Sequence, residues 1–255
     1  NAVTYRGTGV TNSVSGLGFS PDFVWGKQRS GVNSHELYDT VRGAQQIMYS
    51  DLTDAEGANT NGISSFDSYV YTVAGNTSIT LSGNTVVAWA WDAGENNAPT
   101  GHSSVTYTGN GGTQSIKGMG FEPDLVWLKA RSSSGYDHVL QDSVRGSTKQ
   151  LYSNSTSAEV DDTDAVISFD SSGFTTGADV TTNNSGVNYV AWGWDAGSGS
   201  PVSNTDGSIT STVKANPATG FSIVSYTSPN NAADQTVGHG LSQAPEVIIC
   251  KNLDT

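Results

Sequence analysis

Two histidine–aspartate pairs, His35 with Asp39 and His138 with Asp142, are the first residues whose types could do chemistry. A carboxylate that orients an imidazole prepares a general base. Their spacing argues against that use, because four residues along a strand span ~13 Å, beyond hydrogen-bond reach. No GxSxG elbow is present, and the single cysteine, Cys250, lies outside the first two copies of the repeat described below. No further group recurs as a nucleophile. Carboxylates are plentiful, yet no spacing singles out an acid and a base for glycoside hydrolysis. HExxH, CxxC and EF-hand patterns are absent. Asp161, Asp162 and Asp164 offer hard oxygens suited to Ca2+. The matching stretch Ala58-Asn59-Thr60-Asn61 lacks that charge, so a solvated turn is the plainer reading. No catalytic residue and no cofactor are expected, with Ca2+ the one ion these residues would suit.

The elements that position these groups recur. Residues 16–29 match 118–131 at nine of fourteen positions, 35–43 match 138–146 at six of nine, and 87–94 match 190–197 at seven of eight. Ser65-Phe66-Asp67 returns as Ser168-Phe169-Asp170, and Ala55-Glu56 as Ala158-Glu159. The chain is thus an internal duplication with a period of 102–103 residues. A third, partial copy runs from Gly238 through Pro245 to Lys251. The expected organisation is a first repeat over 1–95, a linker over 96–102, a second repeat over 103–198, a linker over 199–206 and a partial repeat over 207–255.

Within a copy, Phe23, Trp25 and Lys27 alternate with Val24, Gly26 and Gln28, and Val87, Trp89 and Trp91 alternate with Ala88 and Ala90. Period-2 patterns parted by Gly, Asn, Asp and Ser turns predict an all-β fold. The expectation is tandem antiparallel β-sandwiches of lectin-like or jelly-roll type, two full copies and one partial. Residues 44–55 read as a short helix or an irregular loop. Val247–Cys250 reads as a strand buried on both faces that needs neighbours from further chain, another subunit or the preceding sandwich.

All six tryptophans recur: Trp25, Trp89 and Trp91 in the first copy, Trp127, Trp192 and Trp194 in the second. A shared core explains them, since each indole buries ~200 Å2 or more. The functional alternative is a stacking platform for sugar rings, with Trp25, Trp89, Trp127 and Trp192 as candidate glycan contacts. Asp39 with Arg42, and Asp142 with Arg145, are expected to form structural ion pairs that brace the turns before Gly43 and Gly146.

Thirty glycines and a charged fraction of 14% argue against a helix bundle. A net charge of −13 without a basic cluster makes nucleic acid and anionic membrane surfaces poor partners. No apolar run is long enough to span a membrane, so membrane insertion is not expected. The chain opens at Asn1, without Met or a signal peptide, which points to processing or to a longer parent.

The order GFxPDxVWxK, HxLxDxVRG, SFD and WxWDAG, in tandem and followed by GHGL…APExIIxK, resembles repeat modules of long structural proteins of tailed bacteriophages, marine and cyanobacterial ones especially. The resemblance spans most of residues 1–200 and the visible third copy. It implies a tail fibre or comparable virion appendage and a lectin-like sandwich without activity. The expected function is a non-enzymatic virion structural protein that contacts host-surface glycans. The alternatives are a subunit of an extracellular or capsid-associated filament with a purely assembly role, and a secreted carbohydrate-active enzyme. Expected partners are further copies of the chain as a homo-oligomer, other virion proteins and surface polysaccharide, in a virion or extracellular setting.

Overall fold

The computed structural model describes residues 1–75, 77–94, 101–229 and 233–254. The first copy forms β1 (Ala2–Arg6), β2 (Asn12–Val14), β3 (Phe23–Gln28), β4 (Glu36–Asp39), β5 (Gln46–Tyr49), β6 (Gly57–Ala58), β7 (Ile63–Asp67), β8 (Val70–Val73) and β9 (Thr85–Trp91). The second forms β10 (His102–Thr108), β11 (Gln114–Lys117), β12 (Leu125–Ala130), β13 (Val139–Asp142), β14 (Gly146–Tyr152), β15 (Val160–Asp161), β16 (Val166–Asp170), β17 (Gly173–Thr176) and β18 (Asn188–Trp194). One helical turn, α1 (Val180–Asn183), precedes β18 and is capped by the Asp179 carboxylate.

Each copy is an antiparallel β-sandwich of a six-stranded and a three-stranded sheet. Sheet order is β1-β9-β3-β4-β5-β6 over β2-β8-β7 in the first copy, and β10-β18-β12-β13-β14-β15 over β11-β17-β16 in the second. The two orders are the same position by position. The alternation read from the sequence explains the inner faces. Val24, Tyr38, Val86, Ala88 and Ala90 point into the first sandwich, where they meet Val14, Ile63, Tyr71 and Val73 of the smaller sheet. Val126, Leu128, Val139 and Ala191 do the same in the second, against Ile116, Val166 and Phe174.

The retained short motifs brace this frame. Asp22, after its proline, accepts the Ala93 amide at 2.9 Å and the Thr40 hydroxyl at 2.8 Å. Asp124 accepts the Ala196 amide at 2.8 Å and the Ser143 hydroxyl at 2.6 Å. The WDAG turn is thereby tied to the start of β3 or β12. In the SFD motif, Asp67 takes the Ser65 and Thr72 hydroxyls and Asp170 takes those of Ser168 and Thr175, which closes the β7–β8 and β16–β17 hairpins.

Residues 44–55 hold neither a helix nor irregular chain alone: β5 lies there and pairs with β4 and β6. Only four residues long, it carries too little alternation to be recognised alone. The 96–102 linker falls largely outside the described residues. Across 199–216 the chain makes a hairpin of β19 (Val202–Asn204) and β20 (Ser211–Asn216), and β20 pairs with β21 (Phe221–Tyr226). Val247–Cys250 is not a strand: Ile248 is 72% and Ile249 63% exposed. The strand that closes the sheet beside β3 and β12 has no counterpart there, so nothing holds this stretch in a ladder.

Gly7 and Gly109 occupy equivalent crossings where a Cβ would run into the carbonyl oxygens of Leu81 and Asn184. Both obstacles are backbone and cannot swing aside. Gly109→Ala is therefore expected to cost about 2–3 kcal/mol in urea unfolding. A loss below about 0.5 kcal/mol would show that this crossing is not tight.

Candidate assembly site between the repeats

The outer faces of the two six-stranded sheets pack on each other. Phe23, Leu37 and Met48 of the first copy share a buried cluster with Trp127, Val190, Trp192 and Trp194 of the second, with Trp25 and Trp91 at its margin. Trp192 is 0% exposed, and Trp127 and Trp194 are each 4% exposed. The Phe23 ring stacks on Trp192 at 5.2 Å and on His102 at 5.6 Å, and meets Trp127 edge-on at 6.4 Å. These indoles therefore belong to a core between repeats, whereas the sequence pattern suggested the core of each repeat. Trp127 and Trp192 offer no face to a sugar ring, because the other copy covers them. Trp25 and Trp89 remain partly exposed.

Polar contacts ring the aromatic centre. Asp39 Oδ2 accepts both Arg42 Nε at 2.5 Å and Trp192 Nε1 at 2.9 Å, and the Arg42 guanidinium lies 5.5 Å from the Trp192 ring centroid. The Asp39–Arg42 pair thus braces its turn and anchors an indole of the next copy. Asp142 and Arg145 form the equivalent pair at 2.5 Å. Glu56 takes Arg42 at 3.3 Å and receives a two-pronged contact from Arg131 at 2.8 and 3.0 Å. The Glu56 amide donates to the Arg131 carbonyl at 2.8 Å. Lys129 Nζ donates to the Thr53 and Tyr136 carbonyls, and burial pulls its pKa down to about 8 against the pull of Asp137 and Asp54.

The histidines serve packing. Trp127 Nε1 donates to His138 Nδ1 at 2.9 Å, which leaves the proton on Nε2, 2.9 Å from the Tyr49 carbonyl. Burial, with Lys129 nearby, lowers the His138 pKa to about 3. His102 is also brought to about 3 by burial, against opposing contributions from the Gly193 backbone and Asp39. In the first copy, the equivalent Trp25 Nε1 and His35 Nδ1 are buried without partners. One sequence pattern therefore has two environments: His138 meets the Tyr49 carbonyl of the first copy, and Trp25 Nε1 and His35 Nδ1 have no hydrogen-bond partner among the described residues.

Of the acidic cluster, Asp161 pairs with Lys149 at 2.7 Å and Asp162 accepts the Asp164 and Ala165 amides. Among the described residues, no group of three metal-ligating side chains converges. A hollow of about 380 Å3 lies beside Asp22, Thr40, Phe66 and Asp67, whose two carboxylates already hold the local bonds described above.

One family model matches the chain twice, over residues 1–106 and 98–255. The chain belongs to the family described as Domain of unknown function (DUF7483). No curated protein and no solved structure matches it. The first DUF7483 match covers the first sandwich and the second runs through β18 to the C-terminal segment.

That segment approaches the second copy as the second approaches the first. Residues 220–226, GFSIVSY, correspond to 101–107, GHSSVTY, so β21 is the first strand of a third copy and Phe221 stands where His102 does. Phe221 stacks on Trp194 at 6.2 Å, as His102 lies 6.3 Å from Trp91. The Glu159 amide donates to the Leu253 carbonyl at 2.8 Å, matching Glu56 to Arg131. Lys251 Nζ reaches the Ser157 carbonyl at 2.8 Å, near the place where Lys129 reaches Thr53. The repeats of this DUF7483 chain thus follow one another in one direction, with the third copy repeating part of the contact between the first two. No individual motif in the sequence signals this contact. The available sign was that β9 and β18 are apolar on both faces, as strands covered on both sides are.

Proposed function

We propose that this chain is a non-enzymatic structural protein whose repeats stack along an extended appendage, a tail fibre or similar part of a virion. The single observation that carries the reading is where the retained side chains go. Trp127, Trp192, Arg42, Glu56 and Asp39 lie in contact between copies, while Asp22, Asp67, Asp124 and Asp170 hold turns. Side chains held by such contacts set geometry, which supports a structural role. The same observation favours an extracellular filament subunit, because directional stacking builds either. Host glycan then falls to surface loops.

The test has two arms. Antibody against the purified protein is expected to label virion appendages or extracellular filaments in electron micrographs. A polysaccharide panel is expected to release no reducing ends. Turnover that disappears in Asp22→Asn or Asp67→Asn would replace this reading with a carbohydrate-active enzyme.

A further inference from the structure

The contact between copies is heterologous. The first copy supplies a socket, formed by Leu37, Asp39, Arg42, Met48 and Glu56, and the second supplies a plug carrying Trp127, Trp192 and Arg131. A heterologous contact joins two different surfaces, so each copy has one plug and one socket. The second copy's socket is only partly filled. Glu56 takes two guanidiniums, but its equivalent Glu159 takes Arg145 alone. The position of Arg131 there is occupied by Leu253, which provides a carbonyl and no charge. Asp39 takes a guanidinium and an indole, but Asp142 takes only Arg145 and local amides.

The missing groups are present at the other end of the chain. Arg29, the equivalent of Arg131, is exposed and forms no ion pair among the described residues. Trp89, the equivalent of Trp192, is partly exposed beside Trp25 at 5.0 Å. Two parts of the third copy now sit against the second socket: the C-terminal segment, and β20–β21, which Lys214 ties to Asp124 and Phe221 to Trp194. The C-terminal segment belongs to no strand, and its Ile249, standing where Trp127 does, is 63% exposed. β20 pairs with β21 in the place β18 takes beside β10, which puts Lys214 where Trp192 would stand.

We propose that a second copy of this chain docks head to tail, its Arg29, Trp25 and Trp89 face entering the socket of Leu140, Asp142, Arg145 and Glu159 and displacing the third copy's C-terminal segment and its β19–β21 sheet. The proposal rests on the reading that these repeats serve assembly. It follows from continuity with the contact inside the chain and from matched charges, Arg29 for Glu159. Each docked molecule presents a fresh plug or socket, so growth continues unless the rotation per copy closes a ring.

Sedimentation velocity of the full chain tests it. The wild type is expected to form oligomers that lengthen with concentration at about 100 μM and below, a range that weak specific docking reaches. Arg29→Glu, an exposed change that leaves the fold intact, is expected to leave monomers, as is Glu159→Arg. Mixing the two variants, or joining both changes in one chain, is expected to restore oligomers. A monomeric wild type, or oligomers indifferent to Arg29→Glu, would overturn the docking. Either result leaves the structural reading standing, because its own test is appendage labelling without turnover.

Discussion

Trp192→Ala is expected to destabilise the chain by about 4 kcal/mol, while Trp89→Ala, the same residue of the same motif one copy earlier, costs no more than about 1.5 kcal/mol. Trp192 is fully buried against Phe23, carries Arg42 over its ring and donates to Asp39. Its removal opens a cavity and takes a hydrogen bond from a buried carboxylate. Trp89 is partly exposed and lies against Trp25 within its own copy. Urea unfolding of the two variants measures the difference. Equal losses would mean that the indoles serve the core of each repeat and not the contact between repeats.

Acid is expected to loosen the same contact well before the carboxylates titrate. His102 and His138 have pKa values near 3 in the folded chain, chiefly through burial, against about 6.5 when unfolded. Below pH 6.5 the unfolded chain binds protons that the folded chain refuses, so stability is lost as pH falls from 6.5 towards 3. By pH 5 the loss is about 2 kcal/mol for each histidine. Glu36 works in the opposite direction, because burial raises its carboxyl pKa and protonation below that value relieves the folded state. His102→Phe copies Phe221, the residue at the same place in the third copy. This variant is expected to lose clearly less stability between pH 7 and pH 5 than the wild type, with His138 and the less buried His35 supplying what remains. An unchanged loss in urea titrations at the two pH values would remove His102 from the account.

The sandwiches were legible because their inner faces follow simple rules. Alternation in Phe23–Gln28 and Thr85–Trp91 separates Val24, Ala88 and Ala90 from Trp25, Trp89 and Trp91, and the structure places those sets on opposite faces. The Asp39–Arg42 and Asp142–Arg145 brackets were legible from a three-residue spacing at a strand end. The contact between repeats was not, because alternation shows that a face is apolar without showing what covers it. Trp25 and Trp127 stand in matching sequence and differ only in what lies against them. His138 likewise gains a Tyr49 carbonyl from the neighbouring copy, which no local pattern around His35 or His138 could announce. The third copy was misjudged at Val247–Cys250 for a related reason. An apolar run predicts a buried strand only when the strands beside it are present.

The account stands on the claim that retained residues join one repeat to the next. A double-mutant cycle between Asp39→Ala and Trp192→Phe measures that directly, because the phenyl ring keeps most of the packing and removes only the N–H. With Asp142→Ala and Trp89→Phe as the control cycle at dilute protein, the predicted coupling is about 1.5–3 kcal/mol for the first pair and under about 0.5 kcal/mol for the second. No coupling between Asp39 and Trp192 would contradict the account.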